Sequence, residues 1–435
     1  MKSAFVTLLC VLALSPRALA QDEPEAIPDP AEATSADVVE PSGGVVAELE
    51  ARVAELEAEQ AESEEGAEEN HDEGEELRDS LFEQLAHRVA ISGYSTSYFR
   101  SSSSRGSSFR AFRLALLIDG RITDRLRFYA ELKLQDAARI GEGEGTLELE
   151  QAFMEFAFGR SLMLRAGALL VPFGYYNRLH EGWRQLFTRS PLINDVIFPS
   201  TYADVGLEAH GLLLESGETR LIYDVAMING LGDGIATEGE GVGLRETRPS
   251  FKLDPNASPA FVGHLRLMVS DVFELNGSGY YGRYATQGRA AIAMGGIDSI
   301  VHLGPWSLRL EGVYIHIQPG GRLIDEDEDP STPPVFAPFA RNLRGFVAET
   351  ELRFWPSALS DTFLGDFEDP TFFVAARFDA VEQGFETPKS EIVASAAIGY
   401  RPVHRSAIRL EFAQGRGDLR LGNGWEATLA FAMGY

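Results

Sequence analysis

Between residue 88 and the C-terminal tyrosine the hydrophobic pattern has a period of two, which restricts this part of the chain to extended strands. The last segment shows it best: Trp425, Ala427, Leu429, Phe431, Met433 and Tyr435 alternate with Glu426, Thr428, Ala430, Ala432 and Gly434. Successive side chains of a strand point to opposite faces, so one face is continuously apolar and the other small or polar. Ile408, Leu410 and Phe412 interleaved with Arg409 and Glu411 repeat the pattern, as do Phe128, Ala130, Leu132 and Leu134 around Tyr129, Glu131 and Lys133.

A soluble sandwich and a membrane barrel both alternate in this way. Three features favour an all-β fold, a sixteen-stranded antiparallel transmembrane β-barrel. Many segments reach ten residues or more, near the roughly 9–11 that a tilted spanning strand needs and above the roughly 5–6 of an ordinary strand. They fall near 89–100, 108–119, 125–138, 146–158, 161–170, 204–215, 219–229, 260–269, 273–283, 289–301, 306–317, 342–355, 371–383, 390–400, 405–414 and 424–435, an even number as in bacterial single-chain barrels. The connections alternate, with 170→204, 229→260 and 317→342 long and 158→161, 215→219 and 301→306 short; 355→371 and 383→390 break the rhythm. In hydrocarbon every backbone amide must be paired, so such a sheet has to close. Trp306, Trp355, Tyr400, Trp425 and Tyr435 near strand ends read as interfacial girdles or as ordinary sheet packing.

Taking the polar phase as inward gives Arg113, Arg127, Lys133, Arg165, Arg266, Arg309, Arg353, Arg377 and Arg409, with Asp119, Glu131, Glu155, Glu208, Asp224, Glu311, Glu349, Glu351, Asp379 and Glu411. Rings of one charge set ion selectivity, and here neither sign dominates. The pattern predicts a weakly selective, water-filled channel for small hydrophilic solutes or ions. Arg309–Glu311 and Arg409–Glu411 read equally well as structural ion pairs, worth roughly 0.2–1 kcal/mol each. Residues 171–203 form a 33-residue connection rich in apolar groups. Loops of that length are usually functional, and this one is expected to fold into the lumen and narrow it. Tyr175, Asn177, Arg178, His180, Glu181 and Arg184 then stand near the constriction; a trimer contact or an external cap is the alternative. For the whole barrel, the competing reading is a structural or adhesive one with a plugged lumen that anchors the envelope to the cell wall. The run Asp325 to Asp329 falls in a long loop and reads as a solvated face or as a bridge to lipopolysaccharide through divalent cations.

The N-terminal part is different. Residues 1–20 combine Lys2, the apolar run AFVTLLCVLAL and Ala18-Leu19-Ala20, the layout of a cleaved export signal. Residues 21–90 carry 23 acidic and 3 basic side chains, a large share of a formal charge of −28. Within them, 21–44 reads as a disordered acidic segment. Residues 45–60 hold Val46, Leu49, Val53 and Leu56 at coiled-coil spacing, or equally form an amphipathic helix without a fixed partner. Residues 61–87 read as an acidic linker, and 88–435 as the barrel. The expected location is the bacterial outer membrane with this extension in the periplasm.

Composition excludes several functions. An acidic chain is a poor partner for nucleic acid, and the single cysteine, Cys10, lies in the export signal, which removes thiolate sites. HExxH, GxSxG and P-loop signatures and a Rossmann strand–glycine–helix unit are missing from the sequence. No cofactor and no metal site is expected, nor an enzyme, although a lipase with Ser and His far apart in sequence stays open.

Several stretches resemble one family. Phe109 to Leu126 (FRAFRLALLIDGRITDRL) resembles the second strand, turn and third strand of phosphate-selective-type outer-membrane porins, the porin O and P family. Arg165 to Asn177 (RAGALLVPFGYYN), followed by His180-Glu181, is similar to that family's fifth strand and loop. Ile398-Gly399-Tyr400-Arg401-Pro402, leading to Arg409-Leu410-Glu411-Phe412, resembles its late hairpin, and C-terminal Tyr435 is similar to the signal read by barrel-assembly machinery. The resemblance implies a sixteen-stranded barrel in contact with outer-membrane lipid and lipopolysaccharide, often a homotrimer, with an N-terminal periplasmic extension. It does not carry phosphate selectivity, because residues 91–435 hold only Lys133, Lys252 and Lys389 as lysines.

Overall fold

The computed structural model describes residues 88–104, 106–136, 145–232, 244, 247–248, 251, 254, 256–285, 289–319, 341–384 and 388–435. The expected export signal, acidic segment, coiled coil and linker, and the Asp325–Asp329 run, lie outside the described residues.

The described residues form one closed antiparallel barrel of sixteen strands, each paired with its neighbours in sequence and the last with the first. The strands are β1 Val89–Ser102, β2 Gly106–Arg121, β3 Leu126–Gln135, β4 Thr146–Gly159, β5 Leu162–Leu170, β6 Ala203–Ser216, β7 Thr219–Ile228 and β8 Ala260–Val269. They continue as β9 Phe273–Arg283, β10 Ala291–Leu303, β11 Trp306–Ile317, β12 Asn342–Phe354, β13 Thr371–Gln383, β14 Lys389–Arg401, β15 Ser406–Gly417 and β16 Trp425–Gly434. The sequence boundaries coincide at β8, β9, β11 and β13 and differ by at most three residues elsewhere.

The period of two becomes an inside and an outside. On β15, Ile408, Leu410 and Phe412 are 39 %, 58 % and 50 % exposed, while Arg409 and Glu411 between them are 0 % and 8 %. The outer wall is thus apolar and continuous. Closure runs from Tyr94 opposite Gly434 to Ser102 opposite Glu426. Gly93 and Tyr435 extend it, each backbone N–H donating to the other's carbonyl at 3.0 and 2.9 Å. No free sheet edge is left, which hydrocarbon would not tolerate. The 355–370 connection, long for its side of the barrel, holds a short 3₁₀ turn at Ser357–Leu359. Tyr400 Oη ties it down by donating to the Leu364 carbonyl at 2.5 Å.

The inner wall is less uniformly polar than the alternation suggests. Ile315, Ile317, Leu343, Val347 and Val381 face inward and join one cluster with Phe173, Ile193, Ile197 and Phe198. These last four belong to the connection between β5 and β6, which brings its own apolar surface into the barrel.

Candidate functional site: a segment seated inside the barrel

Residues 171–203 touch inward-facing groups of β1 to β3 on one side and of β9 to β16 on the other. Arg113 Nη1 of β2 donates to the His180 carbonyl at 3.0 Å, and Arg189 Nη1 donates to Glu426 of β16 at 2.9 Å. A single segment reaches both only from inside the cylinder.

Its base is closed by Val171 N–H donating to the Tyr202 carbonyl at 3.0 Å and by Asn177. The Asn177 amide, completely buried, donates to the Val171 carbonyl at 2.9 Å and accepts from Tyr202 N–H at 2.8 Å. The short helix α1 Tyr175–Arg178 follows Gly174, whose backbone stands at φ 69°, ψ 160°, a region open essentially to glycine alone. A Cβ there would also strike the Glu311 carboxylate, which accepts from Tyr176 N–H at 3.2 Å. We therefore expect Gly174→Ala to cost about 1–3 kcal/mol, read as a lower thermal midpoint of the detergent-folded barrel; an unchanged midpoint would show that the segment enters by another path.

The second anchor is apolar. Phe173 and Phe198 stack at 5.1 Å between ring centroids, and a π-helical turn at Ile193–Ile197 lies against Gly345 of β12. A side chain at Gly345 would come within 2.6 Å of Ile193, so glycine there permits the close approach.

The remaining anchors are charges. Arg409 is fully buried and donates to the carbonyls of Gly182, at 3.1 Å, and Gln185. Its neighbour Glu411 accepts from Thr188 N–H at 3.0 Å and Thr188 Oγ1 at 2.6 Å. Arg377 donates to the Arg189 carbonyl at 2.9 Å, Asp379 accepts from Leu192 N–H at 3.1 Å, and Arg401 donates to the Trp183 carbonyl at 2.9 Å. Arg420, between β15 and β16, meets Asp195 at 2.6 Å; burial pulls its pKa down to about 10 despite that partner.

His180 is the titratable anchor. Its Nε2 lies 3.0 Å from Glu131 and 3.5 Å from Glu150, and Glu150 is also held by Lys133. Burial opposes the imidazolium, but the hydrogen bond to Glu131 and the charges of Glu150 and Glu131 outweigh it, and the pKa ends above the ordinary histidine value. A raised pKa means that the attraction is complete below about pH 6.5 and fades as pH rises through the raised value. We expect trypsin to cut the segment faster at pH 9 than at pH 6, after correction for the enzyme's own pH profile. His180→Gln should flatten that difference, and an equal difference in the variant would exclude His180 as its source.

Between the seated segment and β4 to β10 lies a cavity of about 500 Å³ lined by Arg165, Arg178, Arg184, Arg266, Glu208, Asp224 and Glu274 with Tyr175, Gln151 and Phe153. Burial, and then the neighbouring Arg266 charge, lower the Arg178 pKa, as expected for two guanidinium groups facing one space.

The residues predicted for the constriction divide into two sets. Tyr175, Arg178 and Arg184 line the cavity, with Glu181 3.5 Å from Arg184; Asn177 and His180 are anchors. The inward charges divide likewise. Arg165 and Arg266 line the cavity, whereas Glu311, Arg377, Asp379, Arg409 and Glu411 lie beneath the segment. Arg127 pairs with Asp119 at 2.8 Å, Lys133 with Glu148 at 2.8 Å and Arg353 with Glu351 at 2.9 Å. Arg409 pairs with Glu411 at 3.4 Å. Arg309 pairs instead with Glu349 at 3.0 Å, which the β11–β12 register sets directly opposite it. Sequence reasoning missed the backbone carbonyls that the arginines hold, and it missed Thr188, Arg189 and His210. The only signal for His210 was its place in the inward phase of β6.

No family model matches the chain. An uncharacterized protein of Aquifex aeolicus (strain VF5) is 26 % identical over 355 residues, covering 76 % of each chain. Among solved structures, OmpF of Salmonella typhi in complex with daunomycin matches 80 % of this chain and 97 % of its own, at 10 % identity and a TM-score of 0.51. The anion-selective porin of Comamonas acidovorans matches 80 % and 99 %, at 10 % identity and a TM-score of 0.50. The trimer form of OmpT, an outer-membrane protein of Vibrio cholerae, matches 80 % and 99 %, at 7 % identity and a TM-score of 0.50. At these identities the likeness is one of fold: the chain shares the barrel architecture of outer-membrane porins.

Proposed function

We propose that the chain is an outer-membrane porin that lets small hydrophilic solutes or ions diffuse through its lumen, with residues 171–203 as the constriction. The observation that carries this reading is the polar cavity of about 500 Å³ left beside the seated segment inside a closed, outwardly apolar cylinder. A plugged structural barrel has no use for such a space. Four arginines and three carboxylates line it, so discrimination by charge is weak, with a slight lean to anions. The phosphate-selective-type resemblance, the outer-membrane location with a periplasmic extension and the homotrimer belong to the same proposal. So does assembly through Tyr435 by the barrel-assembly machinery. The test is single-channel current in planar bilayers with the reversal potential measured in a salt gradient. Ohmic steps and a reversal close to zero are expected; barrels that insert but carry no current would replace the porin with the envelope-anchoring alternative.

A further inference from the structure

Beside the cavity, which Glu208 and Asp224 line, Glu208 and His210 of β6 and Asp224 of β7 offer one ligand atom each, all within 4.8 Å of one another. The geometry points to a binding site for a divalent transition-metal ion formed by Glu208, His210 and Asp224. The placement follows from the strands. Glu208 and His210 are two apart on β6 and so share its inward face, and the β6–β7 register sets Asp224 directly opposite His210. Three ligands then lie on one side of the ion, and the other positions open on the cavity, which Glu208 and Asp224 themselves line.

The outer groups are those that a metal site needs. Glu155 lies 3.0 Å from His210 Nε2; as a carboxylate it accepts the Nε2 proton and leaves the Nδ1 lone pair of a neutral ring free to ligate. His264 of β8, its side chain wholly buried, lies with Nδ1 2.8 Å from Asp224 Oδ2 and orients that carboxylate, while its Nε2 has no hydrogen-bond partner among the described residues. Arg165 meets Glu208 through Oε1 at 3.0 Å, leaving Oε2 for an ion. Arg165 bridges Glu155, at 2.5 Å, and Glu208, and Arg127 lies 3.8 Å from Glu155 while it pairs with Asp119, so a bound cation shares these carboxylates with Arg165 and draws chiefly on His210, Asp224 and the second oxygen of Glu208. A nitrogen ligand among carboxylates favours zinc, copper or nickel over magnesium and calcium, which prefer oxygen alone. The other trio of this type among the described residues, Glu131, Glu150 and His180, is taken up in seating the segment: His180 Nε2 itself lies on both carboxylates, and Lys133 lies against Glu150.

The test is titration of zinc chloride into the detergent-folded full chain by calorimetry, with magnesium chloride as the comparison. It needs no conduction, so it stands or falls apart from the porin reading. We expect one zinc per barrel and no heat of binding from magnesium. Affinity should fall at least about tenfold in His210→Gln and in Asp224→Asn, and about tenfold in Glu155→Gln through loss of the orienting hydrogen bond; Glu150→Gln should bind zinc as the parent does. Two independent ligand variants guard against misfolding of one, with heat-modified electrophoretic mobility reporting assembly. No zinc bound by the folded parent, or zinc bound equally by both ligand variants, would overturn the site.

Discussion

Excision of residues 178–188 should raise the single-channel conductance by about threefold or more, since a sixteen-stranded cylinder without a seated segment encloses a broad aqueous channel. The excised stretch carries His180, Glu181, Arg184, Gln185 and Thr188 and leaves in place the Phe173–Phe198 stack and the Asn177 tie at the base. The wall does not depend on it, because every strand is paired on both sides. Glu131, Arg401, Arg409 and Glu411 lose partners, but the same excision admits water to them, so they are hydrated rather than stranded. Step size is measured in planar bilayers on protein whose heat-modified mobility shows an assembled barrel. An unchanged step size in such protein would put the segment outside the conducting path.

Arg409→Ala should loosen the segment without removing it. In the parent, the buried guanidinium holds the Gly182 and Gln185 carbonyls and faces Glu411. Its loss leaves Glu411 as an uncompensated charge beneath covering chain, which costs about 3–5 kcal/mol. The expected readouts are rapid trypsin cleavage after Arg184 and Arg189, and a current that flickers between the parental level and a larger one. Arg409→Lys should recover little, because one ammonium cannot reproduce a planar group whose Nη1 holds both carbonyls while Nη2 reaches Thr188 Oγ1 and Nε faces Glu411. The double change Arg409→Met with Glu411→Leu should cost less than Arg409→Ala alone, since it removes both charges together. If the single and double variants are cleaved at the same rate, the charge pair is not what seats the segment.

The barrel was legible because its wall has a water-facing and a lipid-facing phase, and the strand-by-strand alternation in β15 and β16 needs no tertiary knowledge. The interior was legible only in part. Inward position follows from the period, and Arg409, Glu411, Arg377 and Asp379 were assigned to that face. What each inward charge meets depends on where residues 171–203 lie, and no local pattern encodes that. Arg309 shows the limit: Glu311 is its neighbour on the same face, yet the register puts Glu349 across from it. The apolar inward residues Ile315, Leu343 and Val347 escaped the polar-phase rule because they pack on Ile193, Ile197 and Phe198 rather than facing water. In β4 a register shift opposite Glu131 and Leu132 changes the phase between Glu148 and Gln151, and this shift brings Glu150 to His180.

The partners of the seated segment are scattered from β1 to β16, so they come together as one set only where the seam between those two strands is closed. Arg189 grips Glu426 on the strand that closes the barrel, and across the seam Glu426 also meets Arg100 of β1 at 3.5 Å. On the porin reading proposed above, the narrowing is complete only in a closed cylinder. An anchor on the closing strand thus couples the seating of the segment to the closure of the wall.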